Sequence, residues 1–72
     1  MCGVFGYLGQ SGQAAREVLA GLQRLEYRGY DSAGICVANS SKHIEVVKAV
    51  GKVNNLKTKT DSIDFSTYHA GI

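Results

Sequence analysis

Residues 1–9 of the chain read MCGVFGYLG and place a cysteine directly behind the initiator methionine, at the start of an apolar segment. From residue 2 to residue 8, small or apolar side chains occupy both faces of an extended chain. This pattern is typical of a strand that is covered on both sides. Because chain ends usually fray, an apolar strand at this position predicts that the N-terminus is held in place.

The composition is that of a globular protein. The chain has 72 residues, of which 44% are hydrophobic and 19% charged, with a net charge of +2. A chain this short makes a marginal core and its two cysteines cannot build a multi-bridge scaffold, so we expect a piece of a larger domain. Without a basic cluster, a membrane-length apolar segment or a basic leader, it is expected to be cytoplasmic and to bind neither nucleic acid nor membranes.

The spacing of apolar residues predicts an α+β fold. Residues 13–26 have the pattern of an amphipathic helix, with Ser11 as the expected N-cap. Alternating segments predict a hairpin, and the two last segments predict a short helix and a loop that leads into a further strand. In order, these segments are GICVA (34–38), HIEVVKAV (43–50), GKVNNLKTKTD (51–61) and SIDFSTYHAGI (62–72). We therefore expect a helix layer on a mostly antiparallel sheet.

Cys2 has the chemistry of a nucleophile if Met1 is removed. It would then carry a thiol, with a pKa of about 8.5, and a free α-amino group, with a pKa of about 7.7–8.0. The amine can accept the thiol proton, so that nucleophile and base share one residue. The alternative is that Cys2 is a small buried hydrophobe, the usual fate of a free cysteine.

A second motif, RLEYRGYDSAGI, occupies residues 24–35. Arg28 keeps its charge and can hold a carboxylate or a carbonyl in a forked grip. Gly29 permits a close backbone approach, and Asp31 and Ser32 can bond nearby backbone groups and lock a turn. The alternative is an ordinary structured loop between a helix and a strand. His43 and His69 stand alone in the sequence, without the spacing of metal ligands, so no metal site is expected.

Taken together, MCGVFG and RLEYRGYDSAGI resemble the class II glutamine amidotransferases, which are N-terminal-nucleophile hydrolases. The resemblance covers residues 1–72 as the N-terminal part of that domain, incomplete on its C-terminal side, and implies a four-layer αββα sandwich. It implies that Cys2 is the catalytic nucleophile and that Arg28, Gly29, Tyr30 and Asp31 form the loop that supports it. Tyr30 and Asp31 would have the more structural role.

The longer string LEYRGYDSAG, with GKV after the hairpin, is most similar to the members that turn fructose 6-phosphate into glucosamine 6-phosphate. The resemblance implies that glutamine supplies the ammonia, that an isomerase domain outside residues 1–72 binds fructose 6-phosphate, that the whole protein is a homodimer and that no cofactor is needed. The family's glutamine-binding and oxyanion-hole segments are not among residues 1–72, so the chain alone is expected to be inactive. Two alternatives are an amidophosphoribosyltransferase and a non-catalytic remnant of the fold.

Overall fold

The computed structural model describes residues 3–26 and 31–72, and in this part of the chain four antiparallel strands form one sheet with two helices packed on one face. In chain order the elements are β1 (Tyr7–Leu8), α1 (Ala14–Leu25), β2 (Ser32–Ala38), β3 (Ile44–Val50), α2 (Val53–Thr60) and β4 (Ala70–Gly71). The strands lie in the order β1-β4-β2-β3, and every neighbouring pair is antiparallel. The predicted α+β class is confirmed.

Strands β2 and β3 form the predicted hairpin, with a register that runs from Ser32 opposite Val50 to Ala38 opposite Ile44. Asn39 closes the turn, because its side-chain oxygen accepts hydrogen bonds from the backbone N–H groups of Ser41 and His43, both at 3.0 Å. Lys42 takes a left-handed conformation with φ of 65°. An asparagine that bonds backbone groups ahead of it stabilises such a turn. The first strand of the hairpin begins two residues earlier than the sequence predicted.

Helix α1 confirms the predicted amphipathic helix, since it buries Ala14, Ala15, Val18 and Leu19 against the sheet. Its N-cap is Gln13, which makes no side-chain capping bond. The prediction that Ser11 caps this helix is therefore wrong. The reason lies in the preceding turn, where the N–H of Gln13 bonds to the carbonyl of Gln10 at 3.3 Å, so that the exposed Ser11 lies two residues before the cap.

Helix α2 confirms the short helix predicted after the hairpin. It buries Val53, Leu56 and Thr60, which recur at helical spacing on one side. The buried apolar core of the described residues joins both helices to the sheet, and its members are Ala14, Ala15, Val18, Leu19, Ile35, Val37, Val47, Ala49, Val53, Leu56 and Tyr68. Neither helix combines the length and the apolar character needed to cross a membrane, as far as the described ranges go.

The predicted N-terminal strand is shorter than expected and is covered on one side only. Strand β1 has two residues and pairs with the equally short β4. Val4 is 85% exposed and Leu8 79% exposed, so the prediction of cover on both faces is wrong for this chain as it stands. The reason is that both helices lie on the same face of the sheet.

The face of the sheet opposite the helices, hereafter the bare face, is apolar and exposed. Because antiparallel partners point to the same side, the register places one set of side chains there: Leu8, Ser32, Cys36, Ala38, Ile44, Val46, Lys48, Val50, Ala70 and Ile72. Val46 is 55% exposed and Val50 80% exposed. Lys48 is the one charged member among the described residues. Within residues 3–26 and 31–72 there are thus one helix layer and one sheet layer, and none of these residues covers the bare face.

Candidate active site

The predicted site residues divide into two groups. Cys2, Arg28, Gly29 and Tyr30 lie outside the described residues, so their roles remain predictions. Asp31 lies within them and is exposed. Its backbone carbonyl accepts a hydrogen bond of 2.8 Å from the N–H of Gly51, one position beyond the β2–β3 ladder. The residue that ends the predicted supporting loop is therefore attached to the end of strand β3.

The N-terminal segment lies along helix α1 in a fixed register. A Cβ added to Gly3 would come within 2.9 Å of Cδ1 of Leu25, and one added to Gly21 would overlap the ring of Phe5. Two residues of extended chain span about 6.6 Å, and the four helical residues from Gly21 to Leu25 span about 6 Å. These two lengths agree, so the two glycine contacts set the register of one segment against the other. Gly21 thus marks the place where the N-terminal segment packs closely on α1.

This register brings together the two motifs that are far apart in the sequence. Gly3 directly follows Cys2, and Leu25 and Glu26 directly precede residues 27–30. Because Gly3 lies against Leu25, the chain next to the predicted nucleophile and the chain next to its predicted supporting loop meet at the C-terminal end of α1. The glycine at position 3 permits this approach, since a side chain there would have to displace Leu25.

The turn between β3 and α2 bonds to both Glu26 and Asp31, which precede and follow residues 27–30. Glu26 ends α1 as its C-cap residue, and its Oε2 accepts a hydrogen bond of 2.9 Å from the N–H of Val53. On the other side, the carbonyl of Asp31 accepts from Gly51. Sequence reasoning did not assign a role to Glu26 or Gly51. The only sequence signal was the string GKV (51–53) after the hairpin. That string does not indicate that Val53 bonds to Glu26, 27 residues earlier in the chain.

Cys36 and His43 also have side chains that could take part in chemistry, but they lie elsewhere in the fold, in β2 and just before β3. Cys36 is a free, half-buried cysteine on the bare face, and its backbone exchanges hydrogen bonds with Ile72. The ring of His43 lies 6.1 Å from that of Tyr68. Residues 3–26 and 31–72 contain no group of three or more side chains of the kind that hold a metal ion. In the described residues, the candidate site thus consists of the chain segments that flank the predicted site residues. The carboxylate of Glu26 links the end of α1 to the start of α2.

Comparison with known proteins gives one consistent relationship. No protein-family profile matches the chain. A glutamine–fructose-6-phosphate aminotransferase (isomerising) of Thermosynechococcus vestitus is 50% identical over 72 residues, which is the whole chain and 11% of that protein. The enzyme of the same name from Tropheryma whipplei is 59% identical over 58 residues, or 81% of the chain and 9% of the relative. The one from Helicobacter pylori is 43% identical over all 72 residues and 12% of its length.

The chain spans about a tenth of the length of these relatives, and the similarity extends through both motifs, the helix between them and the hairpin that follows. Identity of this level over the whole chain, together with the α+β architecture, confirms the resemblance seen in the sequence. The chain belongs, as a segment of about a tenth of their length, to the family of glutamine–fructose-6-phosphate aminotransferases.

Proposed function

We propose that this chain is the N-terminal part, residues 1–72, of a glutamine amidotransferase domain whose Cys2 releases ammonia from glutamine. The ammonia would be used to convert fructose 6-phosphate into glucosamine 6-phosphate, the activity that the names of the relatives describe in part. The proposal includes the cytoplasmic location and the homodimeric whole protein that the sequence led us to expect.

One structural observation carries most of the proposal. Gly3 packs against Leu25, so the position next to Cys2 lies at the residue from which the LEYRGYDSAG string begins. A nucleophile carried by a chain terminus must be held still, because a misplacement of about 1 Å can cost a hundredfold in rate. The packing of Gly3 and Phe5 on α1 supplies that restraint from one side, and a supporting loop at Arg28 and Gly29 would supply it from the other.

The proposed chemistry needs the thiol and the amine of one residue. Once Met1 is removed, the α-amino group of Cys2 takes the thiol proton and the sulfur attacks the side-chain amide carbon of glutamine. A carbon–sulfur bond forms, the carbon–nitrogen bond breaks, and the amine passes the proton to the departing ammonia. Water then attacks the thioester, which releases glutamate and restores the thiol.

The bare face supports the proposed place of the chain in a sandwich. Monomeric soluble proteins rarely expose a large contiguous apolar patch, and here Val46, Val50 and Ile72 are each more than half exposed on one surface. In an αββα sandwich the corresponding face of the sheet packs on a second sheet. We therefore assign the bare face as the inner surface of the domain and the two helices as its outer layer.

The decisive experiment puts the chain into a complete enzyme. Residues 1–72 replace the aligned segment of the T. vestitus relative, and the release of glutamate and the formation of glucosamine 6-phosphate are measured. We expect both activities in the chimera and neither in the 72-residue chain. Mass spectrometry of the chimera should find a chain that begins at Cys2.

The two cysteines of the chain provide a matched pair of variants. Cys2→Ala should abolish glutamate release, whereas Cys36→Ala should leave it near the value of the parent chimera because Cys36 lies on the sheet. Glutamate release by Cys2→Ala, or full activity with Met1 retained, would refute the proposed mechanism. An inactive but folded parent chimera would favour a non-catalytic remnant, and activity with a phosphoribosyl acceptor in place of the sugar phosphate would favour an amidophosphoribosyltransferase.

A further inference from the structure

The turn Gly51–Val53 connects β3 to α2 and contacts Glu26 and Asp31, the described residues on either side of residues 27–30. The N–H of Gly51 donates to the carbonyl of Asp31 at 2.8 Å, and the N–H of Val53 donates to Oε2 of Glu26 at 2.9 Å. A loop of four residues is short, so the positions of its two ends limit the conformations open to it. Because Glu26 and Asp31 are both hydrogen-bonded to the same three-residue turn, the distance between them is restrained.

Glu26 provides a cap that α2 cannot obtain locally. The N-cap of α2 is Lys52, which makes no side-chain capping bond, and a lysine ammonium has no acceptor to offer a backbone N–H. The first turn of α2 contains no acidic residue. A carboxylate at a helix N-terminus both accepts an orphan N–H and interacts favourably with the helix dipole. The carboxylate of Glu26 therefore ties the end of α1 to the start of α2.

The backbone of the turn is built for this geometry. Gly51 has φ of +93°, a conformation that residues with a side chain rarely adopt. A Cβ there would also come within 2.8 Å of Nδ2 of Asn55, whose amide donates to the carbonyl of Val50 at 3.0 Å. Any other residue at position 51 would be strained in this conformation and would press on the Asn55 side chain.

From these contacts we infer that Glu26, acting through the Gly51–Val53 turn, is a positioning residue for the loop that supports the nucleophile. The inference rests on the proposed function, in which Arg28 and Gly29 hold the N-terminal cysteine. Glu26 acts by restraining its own position relative to that of Asp31, the described residue on the other side of residues 27–30.

The test uses the chimeric enzyme with Glu26→Ala, Glu26→Gln and Val47→Ala. Glutamine keeps an oxygen acceptor at the same chain length, so Glu26→Gln should retain most of the turnover rate. Glu26→Ala should lower kcat for glutamate release by up to about a hundredfold and leave KM for glutamine nearly unchanged. Val47 is a buried core residue of β3 without a bond to the turn, so Val47→Ala controls for lost stability and should keep kcat at a temperature where it is folded.

A second readout is independent of turnover. The rate at which a glutamine-mimicking diazo ketone inactivates the thiol should fall with kcat in Glu26→Ala, and Gly51→Ala should behave likewise. Full kcat in Glu26→Ala, a loss no greater than that of Val47→Ala, or no recovery in Glu26→Gln would overturn the inference. Failure of the proposed function is separate, because it would appear as Cys2-independent or absent activity in the parent chimera.

Discussion

The two faces of the sheet have similar sequences and very different surroundings. In β3, Val47 and Ala49 on the helix side are 8% and 6% exposed, whereas Val46 and Val50 on the bare face are 55% and 80% exposed. Alternating residues of one strand point to opposite faces, so a strand of this kind is apolar on both sides. A two-sided apolar strand belongs inside a layered domain. The comparison teaches that the described residues cover one face of a sheet whose strands are apolar on both faces.

The largest effect should come from removing a side chain on the covered face. Leu56 is fully buried between α2 and the sheet, and Leu56→Ala should lower the free energy of unfolding by about 2–5 kcal/mol. That is a large part of the total stability of a small domain. Denaturant titration of the 72-residue chain, followed by circular dichroism, measures it.

The matched variant on the bare face is Val50→Ala. Because Val50 is 80% exposed, its truncation should change the free energy of unfolding of the 72-residue chain by no more than about 0.5 kcal/mol. If Leu56→Ala and Val50→Ala lower the free energy of unfolding equally, the side chains on the covered face stabilise the chain no more than those on the bare face.

The next effect concerns the register of the N-terminal segment on the covered side. Alanine is a better helix former than glycine by about 1 kcal/mol, so Gly21→Ala would stabilise an unobstructed helix. Here the new Cβ would overlap the ring of Phe5, and overpacking of this kind costs about 1–3 kcal/mol. We expect a net loss of stability in the same denaturant titration.

A double-mutant cycle tests the cause of that loss. In a Phe5→Ala background the ring is gone, and Gly21→Ala should then be neutral or stabilising. Stabilisation by Gly21→Ala with Phe5 present would mean that the N-terminal segment does not lie on α1 as described.

A smaller effect should distinguish the bare face in the isolated chain, where it is exposed, from the same face in a complete domain. Val46→Thr keeps the shape of the side chain and replaces one methyl group with a hydroxyl. With Val46 55% exposed, the change should cost no more than about 0.5 kcal/mol in the 72-residue chain. In the chimeric enzyme, where we propose that a second sheet covers this face, burial of the hydroxyl should cost about 1–3 kcal/mol.

The measurement is the difference between the two settings. Thermal or denaturant unfolding of the chimera and of the 72-residue chain, each with and without Val46→Thr, gives it directly. Ala49→Ser, on the covered face of the same strand, is the control, because it should be costly in both. Equal costs of Val46→Thr in both settings would argue against a second sheet.

Local patterns predicted the elements well and their contacts poorly. The spacing of Ala15, Val18 and Leu22 was enough for α1, and the alternation in residues 44–50 was enough for the hairpin, because each depends on neighbours in the sequence. Ser11 was a wrong cap because cap position depends on how the preceding turn is held, and that turn is bonded to Tyr68 through the N–H of Gly12.

The missed features of the candidate site depend on contacts between distant residues. Nothing near Glu26 in the sequence reveals that its carboxylate caps a helix 27 residues later. The contact of Gly3 with Leu25 likewise depends on the register of two segments that the sequence does not relate. The chemistry of Cys2 could be proposed because it depends on one residue alone, whereas its supports are tertiary.

The smallest effect is a change of stability with pH on the covered side. Tyr68 is 5% exposed, and burial, followed by the negative charges of Glu45 and Asp64, raises the pKa of its phenol. Because the folded chain keeps this proton to a higher pH than the unfolded chain, the contribution is fully present below the ordinary pKa of about 10. It is lost as pH rises from there through the folded-state pKa.

Stability should therefore fall above about pH 10 less steeply in Tyr68→Phe than in the parent chain. Absorbance of the phenolate follows the titration, and Glu45→Gln should move it toward lower pH. An identical pH dependence in Tyr68→Phe would mean that this phenol is exposed to water and is not part of the core between the helices and the sheet.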